Sequence, residues 1–528
     1  MLSQKVLKVL LTIFFVGVIK NVLAIENSDQ VEIIKRASFS SEIQYNNVWG
    51  PGHSFSYYPE GLKYLLESNL FSEWRSSQKT IRFNGQFRFT DNPIIDSEKV
   101  SIENLYFFFS INNFELNVGD YFVNFSQYSF NRLIKGLSLK NNFSNFHTEI
   151  VVGSLDSQWE YLYEQNEHEP MDRYVIGLKI FRGKPHKKGI GINYLYVWDN
   201  KSDKNRGLGE KAYNQHLISL EWKYNILGID LKGEHAWTFY KTFINDDTTT
   251  DRSVANRIEG EKDITEDLNW RFEIERVEPD FLTLGGASTP DRFRIISNFR
   301  YYFSRKTRIY LKYTYYRNNL YHQLSDTTII NEGEIGLKFK GLFGRRSGRY
   351  QISYKIRNQN NNNQYVNHWI RMSYLDRIKG ARLKLKFLYF FENNYPGDNT
   401  RRYNYGFSLS KRIRWKDFYF HPYINVNFDE VDISQETISR NYTFGFSFYK
   451  GKKWQGFFYY NKVENEIKDG IDSDIDKCQF RINYLVGDFK FIKNLKIGWD
   501  LTFNKFRYSE RSQDYNEDLA KLVIEWQI

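Results

Sequence analysis

The chain has 528 residues, nine prolines and a formal net charge of +11, with charged residues at 26% and aromatic residues at 18%. The lone cysteine, Cys478, excludes an internal disulfide framework and a cysteine zinc cluster. A mean hydropathy of −0.61 beside so many aromatics argues against a chain that hides them in an ordinary core, and for elements with one greasy and one wet face.

At the amino end, Lys5 and Lys8 precede an apolar run from Val9 to Ile19, and Val22-Leu23-Ala24 follows. A short apolar stretch ending on small residues predicts a secretory signal peptide over 1–24, with the mature chain starting near Ile25. The run is too short for a membrane helix, and no other segment approaches the ~18 apolar residues that such a helix requires. Residues 25–36 are expected to form a short periplasmic segment, and 37–528 the barrel described next.

Alternation of apolar and polar residues begins near 37–45 and recurs near 65–74 and 81–89. In the third segment Ile81, Phe83, Phe87 and Phe89 alternate with Arg82, Asn84, Gln86 and Arg88. A period of two marks a strand with opposite faces in different solvents. Further strands are expected near 100–110, 113–120, 132–140, 145–154, 171–181, 189–199, 214–224 and 227–241. The pattern then breaks over 242–290. It resumes near 291–303, 306–316, 333–341, 348–357, 365–375, 381–391 and 402–411, and again near 417–428, 438–449, 453–462, 475–486, 494–506 and 518–528. Tyr403, Tyr405, Phe407 and Leu409 against Asn404, Gly406, Ser408 and Ser410 is among the clearest cases. Short connections such as Asn112-Asn113 and 304–306 alternate with long polar ones such as 200–213 and 317–332, the expected asymmetry of periplasmic turns and external loops.

The last strand has an unbroken apolar face of Ala520, Leu522, Ile524, Trp526 and Ile528. It resembles the C-terminal targeting strand of bacterial outer-membrane β-barrels, here ending on Ile528 where Phe or Trp is commoner. Trp526 and Ile528 are therefore the expected assembly signal, with the barrel assembly machinery as partner. The fold class that follows is all-β: a transmembrane antiparallel β-barrel of about 24 strands, within about 22–26, carrying a long inserted loop. Its place is the bacterial outer membrane, among lipid and lipopolysaccharide. A secreted soluble propeller or string of sandwiches is the alternative class, and no blade-sized repeat supports it.

Two readings of 242–290 stay open. Either it folds inward as a constriction, with Glu273, Glu275, Arg276 and Asp280 in the lumen, or it is an external hairpin or an extra strand pair. A barrel this wide has an open lumen unless something fills it. Gly119-Asp120, Lys135-Gly136-Leu137, Trp198-Asp199, Glu234-His235-Ala236 and Glu278-Pro279-Asp280-Phe281 resemble segments of uncharacterised, porin-like outer-membrane barrels of Bacteroidetes-like Gram-negative bacteria. The Pro279-Asp280-Phe281 to Gly285 stretch also resembles part of the type IX secretion translocon barrel. Neither likeness implies a substrate.

The chemistry is carried by charge. Arg308, Lys312, Lys338, Lys340, Lys355, Arg357, Arg371, Arg382, Lys384 and Lys386 fall on the polar face of consecutive strands, with Glu334 almost the only acid among them. A one-sided basic wall lowers the energy of anions in a pore. Solvation, or neutralisation by Glu273, Glu275 and Asp280, is the competing reading. No Gly-x-Ser-x-Gly or His-Glu-x-x-His pattern occurs, and His322 near Asp326 is the best of a poor set of hydrolase pairs. Gly189-Ile190-Gly191 opens a strand and not a helix, and the acidic run 469–476 lacks EF-hand spacing. No catalytic, metal or cofactor site is expected, and no nucleic acid. The expected function is a porin-like channel or transporter of solute or polymer, possessing an anion preference. A structural, assembly or secretion-associated barrel with a periplasmic partner is the alternative.

Overall fold

Each stretch of alternating residues forms an extended segment, and each pairs with the next in the chain. The computed structural model describes residues 32–528 except 97–98, 156–158, 160–172, 185–187, 201–210, 245–246, 342–346, 362, 396–398, 433–435, 469 and 490–491. The expected signal peptide and residues 25–31 lie outside the described residues.

The first seven strands are β1 (Glu32–Trp49), β2 (Gly61–Arg75), β3 (Lys79–Thr90), β4 (Val100–Ile111), β5 (Phe114–Ser126), β6 (Phe130–Phe143) and β7 (Phe146–Ser154). Next come β8 (Arg173–Lys184), β9 (Lys188–Asp199), β10 (Ala212–Ile226), β11 (Ile229–Ile244), β12 (Asp247–Thr265) and β13 (Leu268–Val277). Then follow β14 (Arg292–Ser304), β15 (Thr307–Arg317), β16 (Ile329–Lys340), β17 (Arg349–Asn360), β18 (Gln364–Ile378) and β19 (Ala381–Tyr395). The last are β20 (Thr400–Lys411), β21 (Ile413–Trp415), β22 (Phe418–Asp432), β23 (Thr437–Lys450), β24 (Trp454–Ile467), β25 (Ser473–Phe489), β26 (Ile492–Tyr508) and β27 (Tyr515–Gln527).

All pairings are antiparallel, and the sheet closes where β1 pairs with both β2 and β27. The short β21 continues β20 along the same neighbour, β22, so the wall of the closed barrel has 26 positions. Closure leaves no unpaired edge, which a sheet exposed to lipid cannot tolerate. At the seam Trp526 stacks on Phe39 with ring centroids 5.3 Å apart, and the Ile528 N–H donates to Ala37 O at 2.8 Å.

Register separates the two faces row by row. Ile309, Leu337, Ile352, Met372, Phe387, Tyr405 and Phe428 are successive cross-strand partners on the outer face. One residue along, Arg308, Lys338, Gln351, Ser373, Lys386, Gly406 and Asn427 form the matching row on the lumen face. A one-residue slip would exchange the rows, so the pattern fixes the register. Short turns such as 112–113, 144–145, 266–267 and 379–380 gather on the rim that holds both chain ends. The opposite rim carries most of the longer connections.

The break in alternation at 242–290 corrects the strand count. Two strands, β12 and β13, fill most of it, adding a pair to the expected 24 and leaving a connection of only 278–291. The physical reason lies on the outer face of β12, where Val254, Asn256, Ile258, Gly260 and Lys262 include just two aliphatic residues. The ladders to β11 and β13 hold the strand in place without an apolar stripe of its own.

Candidate pore lining

The lumen is not lined uniformly, because β5 and β6 do not end like other hairpins of the long-loop rim. Their connection, Gln127-Tyr128-Ser129, turns inward against lumen-facing residues of β10, β11 and β13. Phe125, Tyr128 and Phe130 are buried there against lumen-facing residues of β7 to β13 that are small or aliphatic where a wet lumen would want polar groups. Those residues include Val151, Val175, Leu195, Leu217, Ala236, Ala255 and Val277. Gly177 permits the approach, since a Cβ there would sit 2.9 Å from the Phe125 ring.

Polar groups lock the tip in place. Glu234 of β11 accepts from the Ser126 hydroxyl at 2.6 Å and from the backbone N–H of Gln127 at 3.1 Å and of Tyr128 at 3.2 Å. Lys179 donates to Phe125 O. The Tyr128 hydroxyl donates to Glu275 at 2.8 Å, and Glu275 is paired with Arg292 at 2.9 Å and Arg294 at 3.0 Å. Removing either carboxylate would leave buried donors unmatched, which is costlier than the net worth of the bonds.

The 278–291 connection lies on top of this tip. Phe281 packs edge-on against Tyr128, with centroids 5.6 Å apart. Gln215 of β10 clamps the segment, donating to Leu282 O at 2.6 Å and accepting from Leu284 N at 3.0 Å. Thr283 Oγ1 donates to Tyr128 O at 2.7 Å, and Arg132 donates to Leu284 O at 2.8 Å. The base of the connection is tied to the next one: Asp291 accepts from Asn319 N and Leu320 N, each at 2.7 Å. Glu278 accepts the Tyr321 hydroxyl at 2.6 Å, and that bond raises the phenol above its ordinary range. Together, tip and connection make a packed ledge inside the barrel over β7–β13.

The ten cations expected in the lumen share one face of β15 to β19. Two are paired to one acid: Glu332 meets Lys355 at 2.8 Å and Arg357 at 2.7 Å, and both cations lie over the Trp369 ring. Glu334 instead accepts the Tyr310 hydroxyl at 2.8 Å. Among the described residues, no ion pair reaches Arg308, Lys312, Lys338, Lys340, Arg371, Arg382, Lys384 or Lys386. Elsewhere around the lumen many cations are matched, as in Lys179–Glu221 at 2.6 Å, Lys232–Glu259 at 2.7 Å and Lys521–Glu42 at 2.7 Å.

The residues expected in the inserted loop divide. Glu273 and Glu275 face the lumen from a wall strand, where Arg257, Arg292 and Arg294 hold them, so they do not neutralise the basic arc. Arg276 alternates to the outer face of β13, while Asp280 lies in the connection and its carbonyl accepts from Tyr240. His322 approaches Arg317 Nη2 at 3.4 Å and makes no bond to the Asp326 carboxylate. Sequence reasoning missed Glu234, Gln215 and Tyr128. Their signal is legible afterwards: Tyr121, Val123, Phe125 and Phe130 put apolar side chains on the wet face of a hairpin whose outer face is also apolar.

No family model matches the chain, and no curated protein matches it. Among solved structures the chain is similar to the E. coli P pilus tip assembly intermediate PapC-PapD-PapK-PapG, at 8% identity and a TM-score of 0.50, over 88% of this chain and 62% of that one. It is also similar to Pseudomonas aeruginosa OccK2, at 9% identity and a TM-score of 0.30, over 94% of this chain and 98% of that one. The anion-selective porin from Comamonas acidovorans follows at 11% identity and a TM-score of 0.31, over 55% and 90%. These likenesses speak to fold alone. With its apolar outer belt, wet lumen and even number of wall positions, the chain is a β-barrel of the bacterial outer-membrane kind. In barrels of this kind the rim of short turns is the periplasmic one.

Proposed function

We propose that this barrel is a channel with an anion preference, its cross-section narrowed by the inward ledge. The observation that carries the reading is the unmatched basic arc of β15–β19. Of the nearest lumen acids, Glu332 is committed to Lys355 and Arg357, and Glu273 and Glu275 to arginines of β12 and β14; Glu334, held by Tyr310, leaves one negative charge against the eight cations without an ion pair. Cations fixed on a wall between water and lipid attract mobile anions into the lumen and repel cations. The ledge is fastened through wall residues, so it constricts without needing a separate plug domain.

Single-channel recording of the refolded mature protein under a salt gradient tests this. Stable conductance with a reversal potential of anion sign is expected. A cation-selective channel would overturn the preference, and a folded, inserted but silent barrel would overturn the channel. In that case the second reading applies: a secretion-associated or assembly barrel with a periplasmic partner, like the translocon that Pro279 to Gly285 resembles. The ledge favours it, since a narrowed lumen suits a scaffold. In either case Trp526 and Ile528 would be read by the assembly machinery, and external cations would meet lipopolysaccharide phosphates.

A further inference from the structure

The basic arc is not spread evenly along the pore axis. Strands β15, β17 and β19 rise from the periplasmic rim and β16 and β18 descend to it, so position along each strand gives depth. The acids and their partners, Glu332, Glu334, Lys355 and Arg357, lie in the middle and outer part of the arc. At the periplasmic end the lumen-facing positions include Arg308, Lys338, Lys340, Arg349, Lys384 and Lys386, and among the described residues no acid shares that face. Arg308, Lys338, Lys340 and Arg349 line a single open cleft of about 420 Å³ with Tyr302 and Gln351. Lys338 also lies 5.5 Å from the centre of the Tyr310 ring.

We propose that this rim is a docking site for a linear polyanion, a chain of phosphate or carboxylate groups that enters the lumen from the periplasm. The inference rests on the reading of the lumen as a conduit. Neighbouring strands are ~4.8 Å apart, and Arg308, Lys338 with Lys340, and Arg349 stand on three successive strands, so an extended chain laid across them meets several cations. A small anion is held by donors that converge on it; these cations are strung along a curved wall and face water. An extended ligand can meet several at once, and each added contact is then intramolecular. The absence of acid on this face means that no carboxylate must be displaced first. With the charge concentrated at one mouth, capture is faster from that side, while the direction of net passage follows the gradient of the chain.

The probes are linear inorganic polyphosphate and polyglutamate: tight binding of the first alone assigns phosphate recognition, tight binding of the second assigns carboxylate recognition, and binding of neither overturns the site. Fluorescently labelled polyphosphate is titrated onto the detergent-purified full barrel, and binding is followed by anisotropy. The K338Q/K340Q/R349Q variant should bind at least tenfold more weakly, and a K338R/K340R variant should bind as the parent does. Orthophosphate at equal phosphate concentration should not compete. Unchanged affinity in the glutamine variant, or full competition by orthophosphate, would overturn the docking site. Folding of each variant is checked by its heat-dependent gel migration. In planar bilayers, with orientation read from an antibody epitope placed in the 318–328 loop, polyphosphate should block current from the periplasmic side only. Equal block from both sides would overturn the proposal. Binding that persists in a silent barrel would defeat the channel reading and leave the docking site standing.

Discussion

Glu234 shows how one side chain sets the shape of a lumen. Its carboxylate is buried on β11 and receives three donors of the Ser126–Tyr128 tip. Glu234→Ala strands those donors, at about 1–3 kcal/mol for each one left dry. A local loss of about 2 kcal/mol corresponds to roughly 30-fold faster amide exchange at 127–130, measurable by mass spectrometry on the purified barrel. Exchange confined to the parent rate would mean that Phe125 and Phe130 hold the tip by packing alone. Gly286 makes a complementary point, since a Cβ there would lie 2.2 Å from Tyr128 O. Gly286→Ala should therefore lift the 278–291 segment and cost about 1–3 kcal/mol of overpacking. The expected readout is a lower temperature at which the barrel loses its compact gel migration; an unshifted transition would show that the segment accommodates a side chain. None of this was visible as a motif. The sequence displays Tyr121, Val123, Phe125 and Phe130 plainly, but their parity looks like a lapse in alternation until the opposite wall is known.

At the scale of strands, most of the architecture was legible because lipid and water impose opposite demands on neighbouring residues. Tyr403 to Ser410 and Tyr442 to Phe448 declare their faces outright. β12 does not: its outer face carries Asn256 and Lys262, and its outermost part, Asp247–Asp251, is polar on both faces. Tertiary pairing with β11 and β13 overrides the local signal there. This distinction predicts opposite results for two deletions. Replacing 279–290 by a short glycine linker removes half of the ledge and none of the wall, so single-channel conductance should rise with the barrel intact. Deleting 247–277 removes two wall positions and the Glu275 anchor, so the protein should fail to reach its heat-modifiable folded form. If both deletions gave the same folded, wider pore, β12 and β13 would not be wall strands.

For the whole molecule, the governing quantity is the imbalance of fixed charge between two halves of one lumen. Around β7–β13 and β22–β27, cations and acids are paired across neighbouring strands, as in Lys496–Glu525 at 2.8 Å, and their far fields largely cancel. Around β15–β19 they do not cancel, and that arc should dominate selectivity. The field reaches ions in the pore only over the screening length, about 10 Å at 0.1 M salt and about 3 Å at 1 M. Anion preference should therefore be strong in dilute salt and fade toward the ratio of bulk mobilities near 1 M, as read from reversal potentials at a fixed gradient. K384E/K386E replaces two unmatched cations with acids facing the same water, and should move the reversal potential toward cation selectivity at 0.1 M. At 1 M the variant and parent should converge. A preference that survived at 1 M would require contact recognition of the anion in place of a diffuse field, since charges beyond about 3 Å are screened there. A variant that left the reversal potential unchanged in dilute salt would place the selective region at the ledge, where Arg132, Arg292 and Arg294 stand among buried acids.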